Sequence, residues 1–227
     1  MLKFYFNLSP NPMKVALFLE EAGIPYEPVP IDARAGAQFA PDFLAINPNA
    51  KVPAIVDGGT TVFDSNAILL YLAEKTGQFL PPAESRGEAL SWLMFVATGI
   101  GPFSGQAVHF LHMAPEQVLY AKARYRYEAE RHYGIVEQRL AGRRYMVGDA
   151  YSIVDMALWG WARMVPFILG DDAWASYPNL KRLVDEIAAR PAAERVEAFR
   201  ATHAGAFKSQ MDDAARAVMF KHLGRAA

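Results

Sequence analysis

The chain contains no cysteine. That absence excludes structural disulfides, zinc–thiolate sites and any thiol nucleophile carried by the protein itself, and it suits a cytoplasmic setting. Any sulfur chemistry must therefore use a sulfur that arrives with a ligand. An excess of charge of one sign is missing too. The 23 Lys and Arg against 24 Asp and Glu leave a formal net charge of −1, which gives no reason to expect nucleic acid or an anionic membrane as partner. No run approaches ~18 consecutive apolar residues, so a membrane span is not expected. The apolar start, Met1 to Phe6, is too short for a secretory signal and reads as a strand. No internal repeat or low-complexity stretch is present. What remains is 227 residues, 52% of them hydrophobic, enough for a large core in one or two domains.

The first eighty residues alternate strand and helix signals. Leu2 to Asn7 reads as a strand. Asn11 is expected to cap a helix from Met13 to Ala22 that Gly23 ends, with Pro12 in its first turn. Tyr26 to Ile31 reads as a second strand, Asp32 to Gln38 as loop, and Pro41 to Ile46 as a short helical turn. Pro53 to Asp57 and Thr61 to Phe63 form a hairpin around Gly58-Gly59, and Ser65 is expected to cap the helix that runs to Lys75. The Pro-rich polar stretch 81–87 reads as a linker. Beyond it strand signals vanish. Glu88 to Phe110 has a helical pattern with a break expected near Gly99-Ile-Gly101-Pro102. Pro115 to Leu140 is a long amphipathic helix. Ser152-Ile-Val-Asp155 reads as a capping box opening an apolar core helix, Pro178 to Ala189 as another helix, and Pro191 to Leu223 as a charged helical tail with Asp212-Asp213 on a solvated face. The pattern thus gives a βαβ-ββα unit over 1–80, the linker 81–87, and an all-α domain over 88–227.

Three clusters in the first domain can carry chemistry. Ser9-Pro10-Asn11-Pro12 lies between the first strand and the first helix, where open α/β sheets place ligands. A thiol held at that helix start is easier to ionise. A free thiol has a pKa of about 8.5, and lowering it by about two units takes roughly 2.7 kcal/mol of thiolate stabilisation. Pro10 and Pro12 carry no N–H, so the Ser9 hydroxyl and the Asn11 amide are the natural donors. The plain alternative is a helix cap and a turn residue. In the second cluster, Val52-Pro53 is a candidate cis peptide that leaves the Val52 N–H and C=O free to ladder with a peptide ligand, with Lys51 placed for a ligand carboxylate. The alternative is an ordinary turn entering an edge strand. In the third, Asp64 offers a carboxylate to an ammonium while Ser65 and the helix-start amides offer donors to a carboxylate; alone, a simple N-cap explains it. Together the clusters describe a pocket for a peptide-like zwitterion with a nucleophilic group at its far end.

These pieces resemble the glutathione transferases. The resemblance is carried by Ser9-Pro-Asn-Pro-Met-Lys14-Val, Asn47-Pro-Asn-Ala-Lys-Val-Pro53, Asp64-Ser-Asn-Ala-Ile-Leu-Leu-Tyr-Leu and Gly148-Asp-Ala-Tyr-Ser152-Ile-Val-Asp155. Within the family, Gly36-Ala-Gln38-Phe39 and Gly101-Pro-Phe-Ser-Gly105-Gln106-Ala-Val-His109-Phe110 are most similar to bacterial nu-class proteins. The resemblance implies a thioredoxin-like domain followed by an all-helical one, a homodimer, and glutathione as co-substrate, held as one molecule, two, or the disulfide form, with no metal. It implies Ser9 and Asn11 as the thiolate-stabilising residues and Gln38, Lys51, Val52, Pro53, Asp64 and Ser65 as glutathione contacts. Gln106 and Arg124 are further carry-overs, toward a second glutathione or a partner subunit. Two positions depart from the family pattern: Asp64 stands where Glu is common, and Ser9 where nu-class proteins often have Thr.

The resemblance implies glutathione-dependent reduction of a small disulfide. The alternatives are conjugation to, or thioether or ether cleavage of, a hydrophobic electrophile, and a non-catalytic glutathione-binding protein. Other residues have plainer expectations. His109 and His112 lack a third ligand for a metal. Trp92, Phe95 and Phe103 are expected in the core or at a dimer contact, with the electrophile pocket as the alternative, and Tyr125, Tyr127 and Tyr133 mainly in packing, with a donor role for one that faces the cleft as the alternative.

Overall fold

A computed structural model of the protein describes residues 1–221. The elements in chain order are β1 (Leu2–Phe6), α1 (Pro10–Ala22), β2 (Tyr26–Pro30), α2 (Pro41–Ile46), β3 (Ala54–Asp57), β4 (Thr60–Phe63) and α3 (Ser65–Thr76). There follow α4 (Arg86–Phe95), α5 (Gly101–Val108), α6 (Leu119–Leu140), α7 (Ile153–Ala162), α8 (Val165–Leu169), α9 (Pro178–Ala188), α10 (Pro191–His203) and α11 (Asp213–Met219). The chain divides into two compact units. One joins Met1–Tyr71 to the segment from Glu194 onward, and the other is Leu72–Ala193.

The first unit is built on a four-stranded sheet of order β2-β1-β3-β4, with β1 and β2 parallel and the other pairs antiparallel. This matches the βαβ-ββα order of the sequence pattern and is the thioredoxin-like arrangement that the resemblance implies. The alternation of side chains along β1 explains how both faces are covered. Phe4 and Phe6 are fully buried on one face, where the Phe199 ring of α10 lies 4.7 Å from Phe6 and 6.4 Å from Phe4. Tyr5 points to the other face and meets Phe43 of α2 at 5.8 Å, beside Ile31 and Ala54. Helix α10 is therefore part of this unit's core, although it follows the helical unit in sequence.

Several boundaries differ from those read in the sequence. Helix α1 starts at Pro10, with Ser9 in extended conformation at its cap position, so Asn11 lies in the first turn and does not precede the helix. Two prolines fit there because first-turn N–H groups have no intrahelical partner. Asp64, not Ser65, caps α3: its Oδ1 accepts from the amides of Asn66 at 2.9 Å and Ala67 at 3.2 Å. The tail is not one helix. It breaks after His203, and α11 starts only at Asp213, where Asp212 accepts from the Ala215 amide and pairs with Lys208 at 2.7 Å. Asp212 is thus a cap as well as part of the expected solvated face, since Asp212 and Asp213 are both exposed. The expected tail positions 222 and 223 lie outside the described residues.

In the second unit the break expected near Gly99-Pro102 is instead a π-helical turn, Val96–Ile100, that leads directly into α5. A second such turn, His109–Met113, follows α5, and α6 begins at Leu119, four residues later than Pro115 suggested. Gly99 sits over the buried His132 ring, and a Cβ built there would lie 2.5 Å from His132 Cδ2. That ring is held between Phe95 and Phe103, at 5.3 and 4.8 Å, so it has nowhere to retreat. Gly99→Ala is expected to destabilise the protein by about 2 kcal/mol, an overpacking cost, read as an earlier urea midpoint. An unchanged midpoint would show that the ring moves freely. The apolar α7 is buried almost throughout and opens on the Ser152–Asp155 capping box that the sequence implied.

Candidate functional site

The geometry of the first unit starts from Asn47. This residue, 2% exposed, organises the turn that precedes β3. Its Nδ2 donates to the Lys51 carbonyl at 2.6 Å, its Oδ1 accepts from the Asn49 amide at 3.0 Å, and its own carbonyl takes the Ala50 amide at 3.0 Å. The turn delivers Val52 to a cis peptide with Pro53. Ladder pairing on β3 begins at Ala54, so the sheet does not consume the Val52 amide and carbonyl. Lys51 beside it is exposed.

Ser9, Gln38, Lys51 and Val52 line one cavity of ≈ 420 Å³, a size within the usual range of small-molecule sites, roughly 300–1,000 Å³. Gln38 is buried there, its Nε2 donating to the Ala33 carbonyl at 3.2 Å, while its Oε1 has no partner among the described residues. Asn11, Pro53, Asp64 and Ser65 lie outside this lining. Asn11 is half-buried in the first turn of α1, and Ser65 is buried at the start of α3. Asp64 is exposed with φ +70°, a left-handed conformation that Asp tolerates better than most side chains. Its two amide contacts hold the carboxylate over the opening turn of α3, where the helix dipole favours negative charge.

A wall of this cavity comes from the end of the chain: Val218, Met219 and Lys221 complete the lining. Asp32 and Arg34 fasten that segment. Asp32 Oδ2 accepts from the Lys208 amide at 2.9 Å, and Arg34 Nη1 donates to the carbonyls of Lys208 at 2.8 Å and Ser209 at 2.7 Å. Lys221 Nζ stands 3.4 Å from the centroid of the Phe39 ring, a cation–π contact. Sequence reasoning missed this wall. The one usable signal was Asp212 three residues ahead of Ala215, an N-cap pattern hidden in an apparently charged tail.

Residues 1–74 match the family model described as glutathione S-transferase, N-terminal domain, and residues 102–191 match the corresponding C-terminal domain. The chain belongs to the glutathione S-transferase family. Disulfide-bond oxidoreductase YfcG of Escherichia coli is 42% identical to this transferase over 207 residues, spanning 85% of this chain and 92% of that protein. A glutathione transferase from Burkholderia graminis, solved with two glutathione molecules bound per subunit, superposes with a TM-score of 0.79 at 39% identity and covers 86% of both chains. A glutathione transferase from Pseudomonas putida, solved with one glutathione disulfide per subunit, gives a TM-score of 0.79 at 34% identity, covering 86% of this chain and 90% of that one. The fold of this enzyme is the glutathione transferase fold.

The remaining candidates of this transferase lie in its second unit. Gln106 is exposed on α5, and Arg124 on α6 pairs with Glu128 at 2.8 Å. Glu128 also takes Arg131 at 2.9 Å, and these guanidinium partners hold its carboxyl below the usual range. His109 packs edge-on to Phe110, and His112 stacks on Phe167 at 4.5 Å. Among the described residues no group of three His, Cys, Asp or Glu side chains is placed for a metal, and no helix is long and apolar enough to cross a membrane.

Proposed function

We propose that this enzyme reduces small disulfides with glutathione, using a glutathione thiolate held at the start of α1. The observation that carries the reading is the cavity lined by Ser9, Gln38, Lys51 and Val52 in a chain without cysteine. Gln38 and the Val52 backbone suit the amides of a short extended peptide, and Lys51 suits a carboxylate. Asp64 and Ser65 suit the ammonium and carboxylate of its zwitterionic end, and Ser9 and Asn11 suit a thiolate. Attack of that thiolate on one sulfur of the substrate disulfide releases the other sulfur as a thiol and leaves a mixed disulfide. A second glutathione thiolate resolves the mixed disulfide, giving glutathione disulfide and the second thiol, so no protein sulfur is required. The name of the Escherichia coli relative and the ligands of the two solved transferases support this choice over conjugation.

The proposal extends to a nu-class homodimer that works in the cytoplasm, with Gln106 and Arg124 directed to a second glutathione or the partner subunit. The test is reduction of 2-hydroxyethyl disulfide run beside conjugation of chlorodinitrobenzene, with a calorimetric titration of glutathione. Disulfide turnover at least about tenfold above conjugation is expected. Conjugation without reduction would reassign the enzyme to transfer, and tight glutathione binding with neither activity would make it a binding protein.

A further inference from the structure

Lys14 is the one lysine of the first unit whose ammonium is withdrawn from water, and it is absent from every contact assigned above. It lies on α1, one turn after Asn11 and on the same side of the helix by the three-residue spacing. Its side chain is 1% exposed, and Nζ donates to Asn66 Oδ1 at 2.8 Å. Asn66 is itself 2% exposed, and its amide binds the Asp64 carboxylate at 2.9 Å. A single chain of bonds thus runs from α1, which carries Ser9 and Asn11, to the turn that carries Asp64 and Ser65. A buried lysine in such a place is costly, because desolvation penalises its charged form. Leu or Met would fill the same volume without that cost. The amine therefore has a task that an apolar side chain cannot perform.

We propose that Lys14, held by its bond to Asn66, supplies the positive charge that favours an anionic sulfur at the start of α1. This inference rests on the functional reading above. Three observations bear on it. The bond to Asn66 is neutral on the acceptor side, so it leaves the lysine charge uncancelled, unlike an ion pair. The charged group whose field reaches the amine is Asp64, which is exposed and engaged with two amides at the α3 start. A glutathione ammonium paired with Asp64 would screen that carboxylate and leave Lys14 free to act on the sulfur. Burial also pulls the Lys14 amine down to about 7, partly offset by Asp64. Its charge is therefore present below that pH and lost as pH rises through it.

The experiment compares two probes that differ at sulfur: glutathione sulfonate, anionic there, and S-methylglutathione, neutral there. Both are titrated calorimetrically into the full-length protein and into Lys14→Met and Asn66→Asp. Asn66→Asp keeps the shape and the bond but cancels the lysine charge, so it decides the matter if Lys14→Met does not fold. The wild-type protein is expected to bind the sulfonate at least about tenfold more tightly than the methyl probe below pH 7, with the preference fading above it. Both variants are expected to lose most of that preference while S-methylglutathione affinity changes by no more than about threefold. A merely structural role would weaken both probes alike, and that result would overturn the inference. So would a preference that survives in both variants, or its absence from the wild type. Failure of the wild-type protein to bind either probe would instead sink the glutathione reading itself.

Discussion

Replacing Asp155 by Ala is expected to cost this enzyme about 3–4 kcal/mol of stability, roughly 10 °C of melting temperature for a chain of this size. Asp155 is fully buried at the third position of α7. One carboxylate oxygen accepts from the Met146 amide at 2.8 Å, and the other accepts from the Ser152 amide at 2.9 Å and the Ser152 hydroxyl at 3.2 Å. Met146 and Ser152 are 0% and 1% exposed, so water cannot replace the lost acceptor. Two buried amides without partners cost about 1–3 kcal/mol each. Partial relaxation of the α7 start holds the total near the stated value.

The pH dependence gives a second readout of the same residue. Burial raises the Asp155 carboxyl from its ordinary 3.8 to about 6, and hydrogen bonds from the Met146 amide, the Ser152 amide and hydroxyl and its own amide keep it from rising further. The folded state therefore holds this proton over a window in which the unfolded chain has lost it. Between those two values the folded state binds more protons, so stability from this group falls as pH rises, by about 3 kcal/mol in all, and levels off above about 6. Asp155→Asn removes the titration while keeping one acceptor. The stability difference between the wild-type protein and Asp155→Asn, measured by urea denaturation from about pH 4 to 7, is expected to shift against the wild type across the window. A difference that grows in its favour would mean that the bonds outweigh burial.

The capping box was legible because its signal is local: Ser, two apolar residues and Asp specify their own hydrogen bonds. The sheet was legible for the same reason, since β1 to β4 and α2 each carry a turn or a proline at their ends. Two helix caps, read at Asn11 and Ser65, lie one or two residues earlier at Ser9 and Asp64, and the larger differences arose where a neighbour distant in sequence decides the outcome. Gly99 and Pro102 look like a break, yet a π turn keeps the chain helical where the His132 ring closes on Gly99. Nothing within the segment announces that ring. The cavity was legible in its first half, because Ser9, Lys51 and Val52 sit beside prolines that mark sheet ends, and Gln38 came through the resemblance. Its second half, Val218 to Lys221, depends on Asp32 and Arg34 gripping backbone more than 170 residues away, at separations of 174 to 176. Local propensity cannot report such a contact.

Asn11→Ala is expected to lower disulfide reduction by roughly 100-fold, the scale of losing one donor to a developing anion. Asn11 has the one backbone N–H among residues 10–12 of α1, and its side chain adds a second donor in the same turn. In the proposed reading these donors face the thiolate, while binding rests on Gln38, the Val52 backbone and the Asp64–Ser65 turn. Affinity for glutathione should therefore change by no more than about threefold, and the loss should fall on kcat. The acid limb of the rate profile should move to higher pH by about one unit, because a thiol with fewer donors ionises later. Stopped-flow turnover with 2-hydroxyethyl disulfide and calorimetry with glutathione separate the two effects. Turnover unchanged in Asn11→Ala removes this side chain from the chemistry, and a loss confined to affinity makes it a binding residue only.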